Sequence, residues 1–169
     1  EFMLPAANAA FFFALIRDRD GGRVDVDREG RPVLKYSLSR YDAEHVVTGG
    51  QECVRLLAAA GAHTIGGLYN NLEPYSARNG GDLEAYLGRI EQRGYVKNDM
   101  TLFSAHQMSS CRMAGSAMLG AVNPEGESYE VRNLFVADAS ALPSATGVNP
   151  MISIMTLAHR VAQAVKART

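Results

Sequence analysis

The sequence predicts an α+β fold: a mainly antiparallel sheet flanked by helices, then a C-terminal strand–loop–helix. Three observations point there. Short apolar runs, some alternating with polar residues and broken by turn residues, lie before residue 40 and again after residue 100. Two stretches between them repeat apolar residues at helical spacing, and Pro150 opens a last, strongly apolar helix. At 169 residues the chain suits one domain with a real core and is short for two.

Glu1-Phe2 ahead of Met3 has the look of a cloning remnant and is set aside. Ala9–Ile16 is far shorter than the roughly 20 residues that cross a bilayer, and it lacks the basic flank of a secretory signal. No transmembrane segment is expected. The core of this run, Phe11–Ile16, reads as a buried strand closed by Arg17-Asp18-Arg19-Asp20. Arg23–Asp27 and Val33–Leu38 read as a hairpin around the turn Arg28–Arg31. In its second arm Leu34, Tyr36 and Leu38 alternate with polar residues, the pattern of a half-buried strand. The charges around it are read as a solvated face.

Ser39 followed by Asp42 resembles a capping box. Ala43, Val46, Val47, Val54, Leu57 and Ala58 then keep helical spacing up to a stop at Gly61. Asp82 caps a second helix with Leu83, Tyr86, Leu87 and Ile90 on one face and Gly94 after it. Gly66–Gly81 between them is rich in Gly and Asn and reads as an exposed loop. A boundary near residue 100 divides the chain into 3–100 and 101–169. The last helix runs from Pro150 to about Lys166 and is apolar nearly all round at first, so its N-terminal half is expected to be enclosed. Asn149 as N-cap and Pro150 at the first helical position fit such a start.

Charge and cysteines narrow the function. A net charge of -1 without a Lys/Arg cluster speaks against nucleic acid or an anionic membrane as main partner. Two cysteines, Cys53 and Cys111, make no disulfide framework and no metal-ligand spacing, and a reduced, intracellular setting is the default.

The chemistry-bearing candidates are few. His106 ends a strand-like run, Thr101–Gln107, and is either a hydrogen-bonded core histidine or a general base. Asn149 can cap the helix and still offer its amide to a ligand. Asp138 closes an apolar strand before a loop, where either a cofactor contact or an Asx turn is expected. His45, His63 and His159 have no acid or thiol in ligand spacing and read as structural. No G-x-G-x-x-G follows a strand, so the chain carries no dinucleotide-binding fingerprint.

Several of these residues fall in a recognisable order. Ser104-Ala105-His106-Gln107-Met108 leads to Cys111-Arg112-Met113; then come Gly126-Glu127, Asn133–Ser140, Pro143, and Gly147-Val148-Asn149-Pro150-Met151. This set resembles the C-terminal region of the glucose–methanol–choline (GMC) oxidoreductases, most like the long-chain fatty alcohol oxidase branch. The segment from Ala14–Arg19 through Ala58–Ala62 is similar to that branch's substrate domain, so the likeness spans nearly the whole chain. Ala114-Gly115 stands where the family usually has Gly directly after Arg-Met, and Asn123-Pro124 where an Asp is common, which implies a shifted turn.

The resemblance implies an FAD-dependent alcohol oxidoreductase. In it, 3–100 belongs to the substrate-binding portion and 101–169 to the catalytic, flavin-contacting portion, whose last strand–loop–helix rejoins the flavin lobe. His106 matches the active-site histidine and Asn149 its companion. Asp138, Ala139, Asn149, Pro150 and Met151 match the segment lying against the flavin. Met108, Met113, Met118 and Leu119 suit either a long aliphatic substrate or the core. The expected partners are an alcohol and either a missing N-terminal FAD-binding half or a self-association partner. The chain alone is expected to be inactive and to hold no tight FAD. The alternatives are a non-catalytic fragment or assembly domain and, more remotely, a thiol or zinc hydrolase using His106 and Cys111.

Overall fold

The protein is described by a computed structural model over residues 6–168. The reading of Glu1-Phe2, and Met3 as the start of the first portion, lie outside the described residues. The chain divides into two compact units. The first comprises the residues through Ile16 together with Leu38–Leu102; the second comprises Arg17–Ser37 and the residues from Phe103 onward.

The first unit is built on two capped helices. Helix α1 (Arg40–Ala59) starts at Ser39, whose Oγ accepts from the Asp42 N–H at 3.1 Å and donates to Asp42 Oδ2 at 2.9 Å. The first bond is the N-cap half of the anticipated capping box, and the second gives the fully buried Asp42 carboxylate a partner. Past its end, Gly61 N–H donates to Ala58 and Ala62 N–H to Leu57, with Gly61 at φ +87°. That is a Schellman closure, which needs a left-handed residue and so favours glycine. Helix α2 (Leu83–Arg93) is capped by Asp82, which accepts from the Glu84 and Ala85 N–H groups.

The expected apolar faces of both helices meet. Val46, Val47 and Val54 of α1 and Tyr86, Leu87 and Ile90 of α2 form one core with Ile65, Tyr69 and Met100. Residues 66–81 are therefore not simply an exposed loop. Tyr69 is buried there with its hydroxyl donating to the Gly94 carbonyl at 2.8 Å, and the segment carries β4 (Tyr75–Ser76), which pairs antiparallel with β3 (Thr64–Ile65). An aromatic ring with a hydrogen-bond partner for its hydroxyl can enter a core from a Gly-rich segment.

Phe11–Ile16 is neither a strand nor buried. It is irregular, Phe11 is 92% exposed, and no strand pairs with it among the described residues. Ala14 and Ile16 reach α1 over Gly49, where an added Cβ would lie 2.9 Å or less from both side chains. Local apolarity favours burial, but burial requires a second surface.

The second unit contains the expected hairpin, β1 (Arg23–Val26) antiparallel to β2 (Pro32–Lys35), with Val24 opposite Leu34. Asp27 Oδ1 closes its turn by accepting from the Glu29 and Arg31 N–H groups. Arg23, Lys35 and Arg31 pair with Asp25 and Asp27 on the exposed charged face. Leu34 and Tyr36 are exposed, whereas Leu38, which belongs to the first unit, is half-buried against that unit's core, so the expected half-buried pattern holds only at its end.

Beyond it the strand-like runs shrink to single bridges: Met113–Val122, Val122–Ser128 and Glu127–Phe135. Thr101–Gln107 and Leu134–Asp138 are accordingly not strands. Gly120, Asn123-Pro124 and Gly126 turn the chain too often for a ladder to form. The fold is α+β, but among the described residues its sheets are two separate two-stranded antiparallel pieces and not one mainly antiparallel sheet.

Helix α3 (Met151–Lys166) closes the second unit. Leu157 and Val161 on it pack with Val122 and Ala141. Gly126 is what lets it approach: at φ +84° an added Cβ would lie 2.5 Å from Val161 Cγ2. The helix differs from expectation in two ways. Pro150, not Asn149, is its cap residue, with no side-chain capping bond. Its first half is not enclosed: Met151, Ile152 and Met155 are 61–67% exposed. An apolar circumference signals that cover is needed, but not which chain supplies it.

Candidate active site

All the candidate site residues lie within the second unit. A cleft of about 390 Å³ opens against the first turns of α3. Ala105, His106, Asn149, Pro150, Met151, Ile154 and Met155 line it. Four of the six residues singled out in the sequence thus meet: His106, Asn149, Pro150 and Met151. Asp138 and Ala139 do not line it.

His106 is half-buried, and its ring has no hydrogen bond or ion pair among the described residues. It is therefore not a hydrogen-bonded core histidine. His45 provides the contrast, with Nδ1 2.8 Å from the Tyr41 carbonyl and its ring 4.3 Å from the Tyr41 ring. What fixes His106 is its backbone. The Gln107 amide folds back on Ser104, donating to its carbonyl at 2.8 Å and its Oγ at 3.2 Å. Three residues past His106 the chain turns at Ser109, which has φ +69°.

The other wall comes from the loop ahead of α3. Gly147 at φ +74° turns that loop, and the Arg17 stem lies over it, 3.0 Å from where a Cβ would stand. Asn149 is exposed and Pro150 is buried. The first N–H groups of α3 face forward without a capping side chain, so the positive end of the helix dipole is open at the cleft.

Asp138 has taken the Asx-turn option. Its Oδ1 accepts from the Ser140 N–H at 2.8 Å and from Ser140 Oγ at 2.5 Å, capping a 3₁₀ turn over Ala139–Ala141. Of the four residues proposed for substrate or core, Met113 packs against the Val122 cluster, Met108 is half-buried, and Met118 and Leu119 are exposed. Ile154 and Met155 line the cleft and were not singled out in the sequence. Their signal was available: they stand three and four residues after Met151, on one helical face.

The arrangement can hold a polar group between an imidazole and an amide, with an aliphatic chain against thioether and isoleucine. Cys111 is half-buried and does not line the cleft. Among the described residues no three His, Cys, Asp or Glu side chains are grouped to hold a metal ion. No helix among them is long and apolar enough to cross a membrane.

Residues 18–158 match the family model of the GMC oxidoreductase C-terminal domain. The chain belongs to the GMC oxidoreductase family. Among characterised relatives it is 36% identical to long-chain-alcohol oxidase FAO4A of Arabidopsis thaliana over 93% of this chain and 21% of that protein. Against long-chain-alcohol oxidase FAO1 of the same plant it is 36% identical, over 99% of this chain and 23% of the relative. A cholesterol oxidase of Acinetobacter baumannii is 36% identical over 39% of this chain and 12% of its own length. The GMC chain described here spans about a fifth of the length of its alcohol oxidase relatives.

Proposed function

We propose that this chain is the C-terminal part of an FAD-dependent alcohol oxidoreductase in which His106 takes the hydroxyl proton of a long-chain primary alcohol. The observation that carries the proposal is an imidazole without a partner among the described residues, lining the same apolar cleft as Asn149 and the open end of α3. Oxidation of an alcohol removes a proton from oxygen and a hydride from carbon. A base within hydrogen-bond reach of the hydroxyl is what the chain must provide.

His106 accepts that proton on a ring nitrogen. The Asn149 amide N–H donates to the oxygen as negative charge develops there. Pro150, Met151, Ile154 and Met155 line the aliphatic side of the cleft. The names of the Arabidopsis relatives motivate the choice of a long-chain alcohol.

FAD is the cofactor of the GMC family, and when bound it supplies the two-electron acceptor for the hydride. The residues present fit such a group. The uncapped first turn of α3 favours a ring edge that gathers negative charge, and the exposed Met151, Ile152 and Met155 offer an apolar surface for a flat ring. Asp138, Ala139, Asn149, Pro150 and Met151 are the residues that would lie against it. The same exposed face favours docking of α3 to an FAD-binding lobe supplied by the remainder of a longer protein. It also supports a second reading, an assembly domain that covers this face with another protein surface.

Replacement of His106 by Ala in the complete oxidoreductase is expected to lower turnover by about 10²–10⁴-fold, the usual effect of losing a general base. Steady-state kinetics on a long-chain alcohol measures it. Near-normal turnover removes His106 from the role.

A further inference from the structure

We propose that Asp138 is a positioning residue for His106, acting through the backbone of the turn it caps. Asp138 Oδ1 holds both the N–H and the hydroxyl of Ser140, and the Asp138 carbonyl accepts from Ala141 N–H at 3.2 Å. The three carbonyls of the turn so fixed each receive an N–H from the segment that follows His106. Ala139 accepts from Ser109 at 3.3 Å, Ser140 from Cys111 at 3.0 Å, and Ala141 from Met113 at 2.9 Å.

This row of bonds has a rigid foundation and a short reach. Ala141 is completely buried with Val122, Leu157 and Val161. At the other end only Gln107 and Met108 separate Ser109 from His106. Ser109 is held in the left-handed region, which a serine adopts only where its surroundings impose it. Its N–H bond to Ala139 is one such constraint. With no side-chain bond of its own among the described residues, the His106 ring takes its aim from this backbone.

The role stands beside any contact of the exposed Asp138 carboxylate with a flavin. It rests on the proposed function only in that the aim of His106 matters if His106 is the base.

Nuclear magnetic resonance on this chain tests it without alcohol or flavin. With four histidines in the sequence, His106→Gln identifies the ring signals of His106 by their loss. Asp138→Ala is expected to shift or broaden those signals. It should also speed amide exchange at Ser109, Cys111 and Met113 by about tenfold, the scale of a lost capping bond. Asp138→Asn keeps an acceptor oxygen and should restore both, while the amides of α1 and α2 stay protected throughout. His106 signals that stay in place in a folded Asp138→Ala protein overturn the proposal. If that variant does not fold, Ser140→Ala decides: it removes only the hydroxyl bond and should move the His106 signals part-way, and no movement overturns the proposal. Turnover of the His106→Ala oxidoreductase reads the base separately. A ring that responds to Asp138 in an enzyme indifferent to His106 would sink the base and keep the brace.

Discussion

The two units use their helices in opposite ways. In the first, α1 and α2 turn their apolar faces toward each other, and both N-termini are closed by side-chain caps. In the second, α3 is anchored mainly by Leu157 and Val161, while its first turns are uncapped and apolar toward the outside. A helix whose polar groups and apolar face are both satisfied locally is scaffold. One that leaves its N-terminus and an apolar face open is shaped for something else. The candidate site lies at the open helix, as this contrast leads one to expect.

The same substitution in each unit gives the sharpest test of the contrast. Ile90 on α2 is 0% exposed and Ile152 on α3 is 67% exposed. Ile90→Ala should cost about 2–5 kcal/mol, the transfer and cavity loss of a core position. Ile152→Ala should stay within about 0.5 kcal/mol in this chain. Urea unfolding followed by tyrosine fluorescence measures both. Equal losses would mean that the face of α3 is covered after all.

A smaller effect probes the attachment of α3. Gly126→Ala places a methyl group in the Val161 side chain and forces alanine to φ +84°. A loss of about 1–3 kcal/mol is expected from strain of this kind. Amide exchange should rise in α3 and not in α2, and a uniform rise in both would contradict the division into units.

The smallest effect concerns pH. Glu127 accepts from the Asn133 N–H at 2.9 Å and from the Arg168 guanidinium at 2.6 Å, and these bonds, in that order, hold its carboxyl below the usual glutamate range. A carboxyl lowered in the folded state binds protons more readily when unfolded. Its contribution is therefore present above the ordinary value and lost as pH falls through the folded one. Glu127→Gln should lower the melting temperature near neutral pH, with the gap closing as the pH drops below 4 or so. A gap that persists unchanged in acid would rule the carboxylate out as the cause.

What the sequence made legible follows from the range of the forces involved. The caps at Ser39 and Asp82, the stop at Gly61 and the hairpin turn at Asp27 are bonds between near neighbours, and each is found. Phe11–Ile16 and the start of α3 were expected to be buried because they are apolar, yet burial depends on a distant surface that local pattern cannot specify. The meeting of His106 with Asn149 came from the order of family motifs. The turn at Ser109 that shapes the His106 segment has no local signature, since serine does not ordinarily announce a positive φ. Ile154 and Met155 share a helical face with Met151, but on an apolar helix that spacing alone does not separate a cleft lining from a core.

The hairpin of β1 and β2 carries a practical consequence. Among the described residues its two strands pair with one another and with no third, so each presents an unpaired outer edge, and Val24, Val26 and Leu34 stand exposed on one face. Such an edge is a template for joining like edges, and the charges on Arg23, Asp25 and Lys35 are its principal deterrent. In concentrated solutions this chain should therefore associate through the hairpin, and Leu34→Lys should keep them clear for longer.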